Sequence, residues 1–145
     1  MLLQKSDDSV FQKVFDDIQV ILKMPLKSMD FMTVRNYVSF FRTLFNSSYL
    51  SDSGSEKLLK LMTKSEFKKG IVGGVPEGVP VAHKFGERSS NDTEMKQLHD
   101  CGIVYAVNRP YILCVMSRGK TFPALEETIQ KISSITYDSF IVNRK

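Results

Sequence analysis

The sequence has no long apolar run and very little cysteine. Its apolar stretches are the length of single strands, too short for a transmembrane helix. Met1-Leu2-Leu3 is followed at once by polar and charged residues, which does not fit a secretory signal peptide. Cys101 and Cys114 are too few for a disulfide framework, and both lie in apolar segments, so we expect two small buried side chains.

Nucleic-acid and metal-binding patterns are also missing from the sequence. The 20 Lys and Arg residues outnumber the 16 Asp and Glu residues only slightly, and they are scattered along the chain. This distribution predicts no nucleic-acid partner. Neither histidine, His83 or His99, has cysteines or carboxylates at the spacing of a zinc site. The sequence therefore predicts no metal and no cofactor.

What is present is the composition of one soluble globular domain: 145 residues, 42% hydrophobic and 25% charged. Apolar periodicity predicts a mainly helical part over residues 1–69 and an antiparallel sheet with a C-terminal helix over residues 70–145. The predicted fold class is α/β of the α+β type, a three-stranded antiparallel sheet flanked by helices. The predicted elements are helices at about 9–20, 33–46, 55–62 and 123–141, and strands at about 79–88, 102–106 and 111–116. Thr33 is expected to cap the second helix. The residues expected on the buried side of the second helix are Val34, Tyr37, Val38, Phe41, Leu44 and Phe45, and those expected on the buried side of the last helix are Leu125, Ile129, Ile132 and Phe140.

Side chains alternate along the first predicted strand. One face carries Val79, Val81, His83 and Phe85, and we expect it to be buried. The other carries Lys84 between the small residues Ala82 and Gly86. Small residues around one cation favour a strand against whose backbone a ligand docks.

Val81-Ala82-His83-Lys84-Phe85-Gly86, with the apolar hairpin and helix that follow, resembles the C-terminal half of class A β-lactamases and penicillin-binding proteins. In that family a Lys-Thr-Gly motif lies on the strand at the edge of the sheet. Lys84 and Gly86 match this motif, and Phe85 replaces the threonine. By alternation Phe85 points to the face opposite Lys84.

Ser6-Asp7-Asp8 stands where the family has Ser-Asp-Asn, before a predicted helix. The resemblance implies that Ser6 relays a proton and that Asp8 occupies a substrate-binding position, although a carboxylate lacks the amide donor of asparagine. The other interpretation is that these short polar residues cap the helix.

The family's nucleophile belongs to a Ser-x-x-Lys motif several dozen residues ahead of Ser-x-Asn. Two similar sequences start at Ser65, in a predicted turn, and at Ser117, after a strand, and we expect both to be surface sequence. A deacylating glutamate would lie between the second and third motifs in a Glu-x-x-x-Asn context, which Glu56, Glu66 and Glu77 lack. We therefore expect a chain that recognises ligands and is inactive alone.

The resemblance implies a β-lactam or peptidoglycan-type ligand and an extracytoplasmic location in the cell envelope. Lys84 would attract the ligand carboxylate, Gly86 would line the site, and the backbone N–H of Glu87 would be one donor of an oxyanion hole. Two alternatives remain open: a non-enzymatic binding module for cell-wall peptides, and an α/β interaction domain.

The last predicted strand, from Tyr111 to Met116, pairs with N-terminal strands in the family. Without them it leaves an apolar edge open to pairing. We expect a partner at this edge, either a missing N-terminal segment or a second copy of the chain.

Overall fold

The computed structural model describes residues 2–21, 33–90 and 94–142. The chain divides into two compact units, Met1–Leu61 and Met62–Lys145. That both form one folding domain stays a prediction. Within the described ranges, no helix combines the length and the apolar character needed to cross a membrane.

The first unit contains α1 (Leu2–Ile21), α2 (Val34–Phe45) and α3 (Asp52–Met62). The predicted start of the first helix is wrong. A helix was expected from about Ser9, with Ser6-Asp7-Asp8 ahead of it either as the family motif or as its cap, but all three residues lie inside α1, which begins at Leu2. None of the three is a glycine or proline, so nothing in their backbone stops a helix from extending through them.

Helix α2 begins as its sequence predicts. Thr33 is the N-cap, and its hydroxyl accepts a hydrogen bond from the Asn36 N–H at 3.2 Å. The buried stripe recurs at helical spacing and differs from the predicted one, because Phe40 belongs to it whereas Val34 and Phe45, expected inside, are exposed. The buried residues of α2 are Tyr37, Phe40, Phe41 and Leu44.

The second unit contains β1 (Val81–Ser89), β2 (Lys96–Val104), β3 (Tyr111–Gly119) and α4 (Phe122–Tyr137). The strands form one antiparallel sheet in the order β1-β2-β3. A 3₁₀ turn, Ile71–Gly74, precedes the sheet, and a π-helical segment, Asp138–Val142, follows α4. The predicted class, an antiparallel three-stranded sheet with flanking helices, is confirmed.

The core of the second unit lies between one face of the sheet and α4. We call this face of the sheet the core face; it carries Val81, His83 and Phe85 of β1. The opposite face of the sheet carries Lys84, and we call it the Lys84 face. Leu125 and Ile129 of α4 were expected to be buried, and they are; Ile132 and Phe140 were expected to be buried but are exposed. The buried cluster comprises Ile71, Val81, Leu98, Val104, Val115, Leu125 and Ile129.

Candidate ligand-binding site on strand β1

β1 is an edge strand, because within the described part of the chain it pairs with β2 alone. Two backbone hydrogen bonds at the ends of the pair show which residues of β1 bond to β2. The Tyr105 N–H donates to the Pro80 carbonyl at 2.9 Å, and the Ser90 N–H donates to the Met95 carbonyl at 3.0 Å. In an antiparallel pair, residues that bond the partner strand alternate with residues that do not. The even-numbered residues of β1 therefore bond β2, whereas the odd-numbered ones, including Glu87, direct their N–H and C=O groups to the free edge.

The Lys84 face carries little side-chain bulk along β1. Lys84 lies opposite Cys101, and Gly86 lies opposite His99. A Cβ atom on Gly86 would overlap the imidazole ring of His99, so this ring lies across β1 where the glycine leaves room. Lys84 and His99 are both half-buried. The result is a cation and an imidazole on the same face of the edge strand.

The charge state of His99 follows from these surroundings. Burial lowers the pKa of His99 below its ordinary value of 6.5, and the positive charge of Lys84 lowers this pKa further, while the Asp100 carboxylate opposes both effects. The imidazole is therefore mainly neutral at pH 7 in the ligand-free chain.

A buried polar network lies on the core face beneath the same strand. The Nδ1 atom of His83 lies 2.8 Å from one oxygen of Asp100, and the Ile71 N–H donates to the other oxygen at 2.8 Å. A Cβ atom on Gly70 would overlap that second oxygen, so glycine is needed for the close approach. The carboxylate thus joins β1 and β2 to the 3₁₀ turn. The Nε2 atom of His83 is buried with no partner among the described residues.

Phe85, in the position of the family's threonine, belongs to the core face. Its ring stacks on Phe67, with centroids 4.0 Å apart and planes at 14°, at the margin of the buried cluster. The side chain therefore points away from Lys84, as the alternation predicts. Phe85 supplies no hydroxyl to the Lys84 face, but it does not obstruct that face.

Cys101 and Cys114 form a disulfide, so the expectation of two separate buried thiols is wrong. They are direct partners in the β2–β3 register. Since the odd-numbered residues of β2 bond β1, Cys101 and Cys114 form a non-hydrogen-bonded pair toward β3. Such pairs bring the two Cα atoms closest together, here to 3.9 Å. Spacing in sequence alone does not reveal this, because it depends on the hairpin register.

The other predicted site residues lie apart in the chain. Ser6 and Asp8 lie in α1, in the first unit, and their side chains fall outside the described residues. Ser65 lies in a turn after α3. The Ser117 hydroxyl donates to the Leu98 carbonyl at 2.8 Å within the sheet. Lys84, Gly86 and Glu87 are brought together on β1.

Sequence reasoning missed His99 and Asp100 as site residues. The available signal was the sequence Leu98-His99-Asp100, which puts an imidazole and a carboxylate on opposite faces of a strand. In the described ranges, no three His, Cys, Asp or Glu side chains are grouped to hold a metal ion.

Comparisons with known proteins agree with this geometry. The family model described as the β-lactamase enzyme family matches residues 7–140. No curated protein matches the chain. A β-lactamase from Chitinophaga pinensis is 25% identical, with a TM-score of 0.63, over 72% of this chain and 40% of that one.

Two other solved structures share the fold. A mutant of PBP-A, an acyl-enzyme complex with penicillin G, is 20% identical with a TM-score of 0.59, over 73% of this chain and 39% of that one. The C-terminal domain of the Bacillus licheniformis BlaR penicillin receptor is 14% identical with a TM-score of 0.55, over 77% and 41%. The chain spans about two fifths of the length of these structures. With a family match over residues 7–140 and the Lys-x-Gly strand at the sheet edge, the chain belongs to the β-lactamase enzyme family.

Proposed function

We propose that this chain is the C-terminal portion of a β-lactamase-like serine hydrolase, and that the free edge of β1 recognises a β-lactam or a peptidoglycan-type peptide. One observation carries the proposal: β1 is an edge strand with Lys84 on a face of low bulk and with an outward N–H at Glu87. The similar PBP-A mutant is an acyl-enzyme complex with penicillin G, which supports this ligand class.

The chemistry follows from the strand. Lys84 attracts the ligand carboxylate; at about 4 Å from a half-buried cation, this attraction is about 4 kcal/mol before desolvation. Gly86 lets the ligand approach the backbone closely. The Glu87 N–H is available to an oxyanion or to a peptide carbonyl at the free edge.

Roles for two residues of α1 come from the family resemblance. We propose Ser6 as a proton relay and Asp8 as a substrate-binding residue of the complete site. The carboxylate of Asp8 accepts hydrogen bonds but donates none, so it would favour ligand N–H groups.

We also propose that this chain contributes recognition and not the nucleophile. Ser65 lies in a turn and Ser117 inside a strand, where its hydroxyl is committed to a backbone carbonyl. Neither serine lies at the start of a helix with its lysine one turn later. A chain without an activated serine forms no acyl-enzyme.

A second copy of the chain is the partner we propose for the free edge of β3. The even-numbered residues of β3, among them Met116, direct their N–H and C=O groups away from β2. Antiparallel pairing of two copies about Val115 places Arg118 opposite Ile112. This register separates the two Arg118 residues by about 20 Å. Because that distance is well beyond the Debye length of about 8 Å, repulsion between the two charges is screened and does not oppose pairing.

An extracytoplasmic location fits both the family and the cross-strand disulfide. Disulfides persist in oxidising compartments and are rare in the cytosol. Cys101 and Cys114 are paired in this chain, so we propose that it works outside the cytoplasm.

Two measurements on the 145-residue chain test the proposed recognition. Calorimetry should show reversible binding of acetyl-D-alanyl-D-alanine that Lys84→Ala weakens about 10-fold or more, since a charge-assisted contact contributes about 1.5–3 kcal/mol. Lys131→Ala is the matched control, because Lys131 is 70% exposed and pairs with Glu127 on α4. No binding at millimolar peptide would refute recognition.

A fluorescent penicillin, read on a denaturing gel, tests the missing nucleophile. We expect no covalent band. A band that disappears in Ser65→Ala or Ser117→Ala would identify that serine as a nucleophile and overturn this part of the proposal. Reversible peptide binding without acylation is also the result expected of a non-enzymatic binding module.

A further inference from the structure

Helix α4 carries apolar side chains that its own unit does not bury. Leu125 and Ile129 lie in the core, whereas Ile132 is 37% exposed and Ile135 is 67% exposed. Isolated exposed apolar residues are ordinary, but these two lie about one turn apart and continue the apolar stripe of the helix. Such a continuation indicates a surface that packs against another element.

The exposed residues lie on the side of α4 that faces the free edge of β3. The other side packs against the 3₁₀ turn, where the Gln130 amide donates to the Lys69 carbonyl at 3.0 Å and the Ser133 hydroxyl donates to the Ile71 carbonyl at 2.8 Å. That turn contacts β1 and β2, whereas α4 contacts β2 and β3, so the turn occupies the β1 side of the helix. At about 100° per residue, a further group of side chains points away from the turn. We call this group the β3 side of α4; it comprises Thr128, Ile132 and Ile135.

α4 runs alongside β3 from one end of the strand to the other. Near the start of the helix, Leu125 lies against Gly119, the last residue of β3, because a Cβ atom on that glycine would lie 3.0 Å from the leucine side chain. At the opposite end, the ring of Phe140 stacks on Tyr111, the first residue of β3, with centroids 5.3 Å apart. Ile132 lies midway between these two contacts, so it is level with the middle of the strand.

A two-fold axis at Val115, the middle residue of β3, therefore acts on the strand and on the helix together. Antiparallel pairing of two β3 edges about this residue puts both α4 helices on the same face of one continuous sheet. With strands about 4.8 Å apart and α4 over β2 and β3, the two helix axes lie about 10 Å apart. Helices pack at about this distance. Ile132 of one copy then meets Ile132 of the other, and Thr128 meets Ile135.

From this arrangement we propose that the free edge of β3 and the β3 side of α4 form one interface of two layers, and that a second copy of the chain occupies both. The inference rests on the second copy proposed above as the partner of β3 and adds the helix surface to it. Paired strands supply backbone hydrogen bonds and fix the register, while the paired helices bury apolar area.

The charges near the helix surface do not oppose a second copy. The three residues of the β3 side of α4 are uncharged. Glu127 and Lys131, which flank them, form an ion pair at 2.7 Å within the same helix. The surface is thus self-complementary in charge as well as in the position of its middle residue.

Sedimentation of the 145-residue chain tests the helix layer. We expect dimers at submillimolar concentration, and Ile135→Glu should raise their dissociation constant about 100-fold or more, ten-fold for each of the two carboxylates that a dimer would bury without a partner. Ser134→Glu is the matched control, because Ser134 is exposed and its backbone lies against Gly74 of the 3₁₀ turn. This control should stay within about two-fold of the unmodified chain. Circular dichroism verifies that both variants are folded.

Cross-linking tests the two-fold axis itself. The chain has 2 cysteines, which are bonded to each other, so a single introduced thiol reacts alone. Mild oxidation should convert Ile132→Cys into a covalent dimer, because this residue meets its own copy on the axis. Ser134→Cys, one side chain away on the far side of the helix, should stay uncross-linked.

Two results would overturn the inference, and they differ in what else they affect. If the unmodified chain is monomeric at submillimolar concentration, pairing of two copies is refuted altogether. If Met116→Lys dissociates a dimer that Ile135→Glu leaves intact and that Ile132→Cys does not cross-link, the β3 edges pair without the helices. Neither result bears on recognition at β1, which the calorimetry with Lys84→Ala decides independently.

Discussion

Replacing Asp100 with alanine removes the acceptor of two buried donors at once. The Asp100 carboxylate is fully buried, and its oxygens lie 2.8 Å from the Nδ1 atom of His83 and from the Ile71 backbone nitrogen. A buried donor left without a partner costs about 1–3 kcal/mol. For two such donors, we expect Asp100→Ala to lower the free energy of unfolding by about 4 kcal/mol.

Asp100→Asn separates the loss of one acceptor from the loss of both. The carboxamide keeps one acceptor oxygen and places an amide group where the second acceptor was. We therefore expect this variant to lose about half as much stability, about 2 kcal/mol. The loss should affect the 3₁₀ turn and β1 first, because Asp100 is the group that joins them.

Urea unfolding followed by circular dichroism measures the difference. Glu77→Ala is the matched control: Glu77 is an exposed acid in the same unit, so its removal should change the free energy of unfolding by less than about 0.5 kcal/mol. The m-value should stay constant across the series. If Asp100→Ala unfolds within about 1 kcal/mol of the unmodified chain, the two donors have other partners in solution and the reasoning is refuted.

Three further predictions concern the disulfide, the β3 edge and acid stability. Reducing the Cys101–Cys114 bond, which spans 13 positions, should lower the free energy of unfolding by about 3 kcal/mol; no change with a dithiol would contradict it. Met116→Lys should turn dimers into monomers in light scattering, because a lysine on an edge strand blocks pairing. An unmodified chain that is already monomeric would refute pairing of two copies at this edge. Since the pKa of His99 lies below 6.5 in the folded chain, the unfolded chain takes up this proton first, so stability should fall as the pH falls below about 6.5. His99→Gln should flatten that decline in urea titrations at several pH values, and an unchanged slope would refute the assignment.

The elements that the sequence predicted correctly are those decided within one or two turns of chain. Thr33 caps α2 because its hydroxyl needs only the N–H of Asn36, three residues later. The two faces of β1 follow from strict alternation, so the placement of Phe85 in the core and Lys84 opposite needed no tertiary information. The start of α1 was wrong because cap residues also occur inside helices, where the local pattern does not exclude them.

The features that the sequence could not show depend on how the strands register. The Cys101–Cys114 disulfide, the contact of His99 with Gly86 and the bond between His83 and Asp100 all arise from the pairing of β2 with its neighbours. A shift of one residue in that register would turn Asp100 to the Lys84 face and His99 into the core. The hairpin register therefore decides which titratable side chain of β2 shares a face with Lys84.

β1 divides its chemistry between two sets of residues. Even-numbered residues direct their backbone into the sheet and their side chains to the Lys84 face; odd-numbered residues direct their side chains to the core and their backbone to the free edge. Recognition of an anionic peptide at this edge draws on both sets, through the side chain of Lys84 and the N–H of Glu87. An outward N–H does not depend on the side chain of its own residue, which is why a phenylalanine stacked in the core at position 85 is compatible with the site. Position 86 of the even set is restricted in its side chain, since a Cβ atom there would overlap the imidazole of His99.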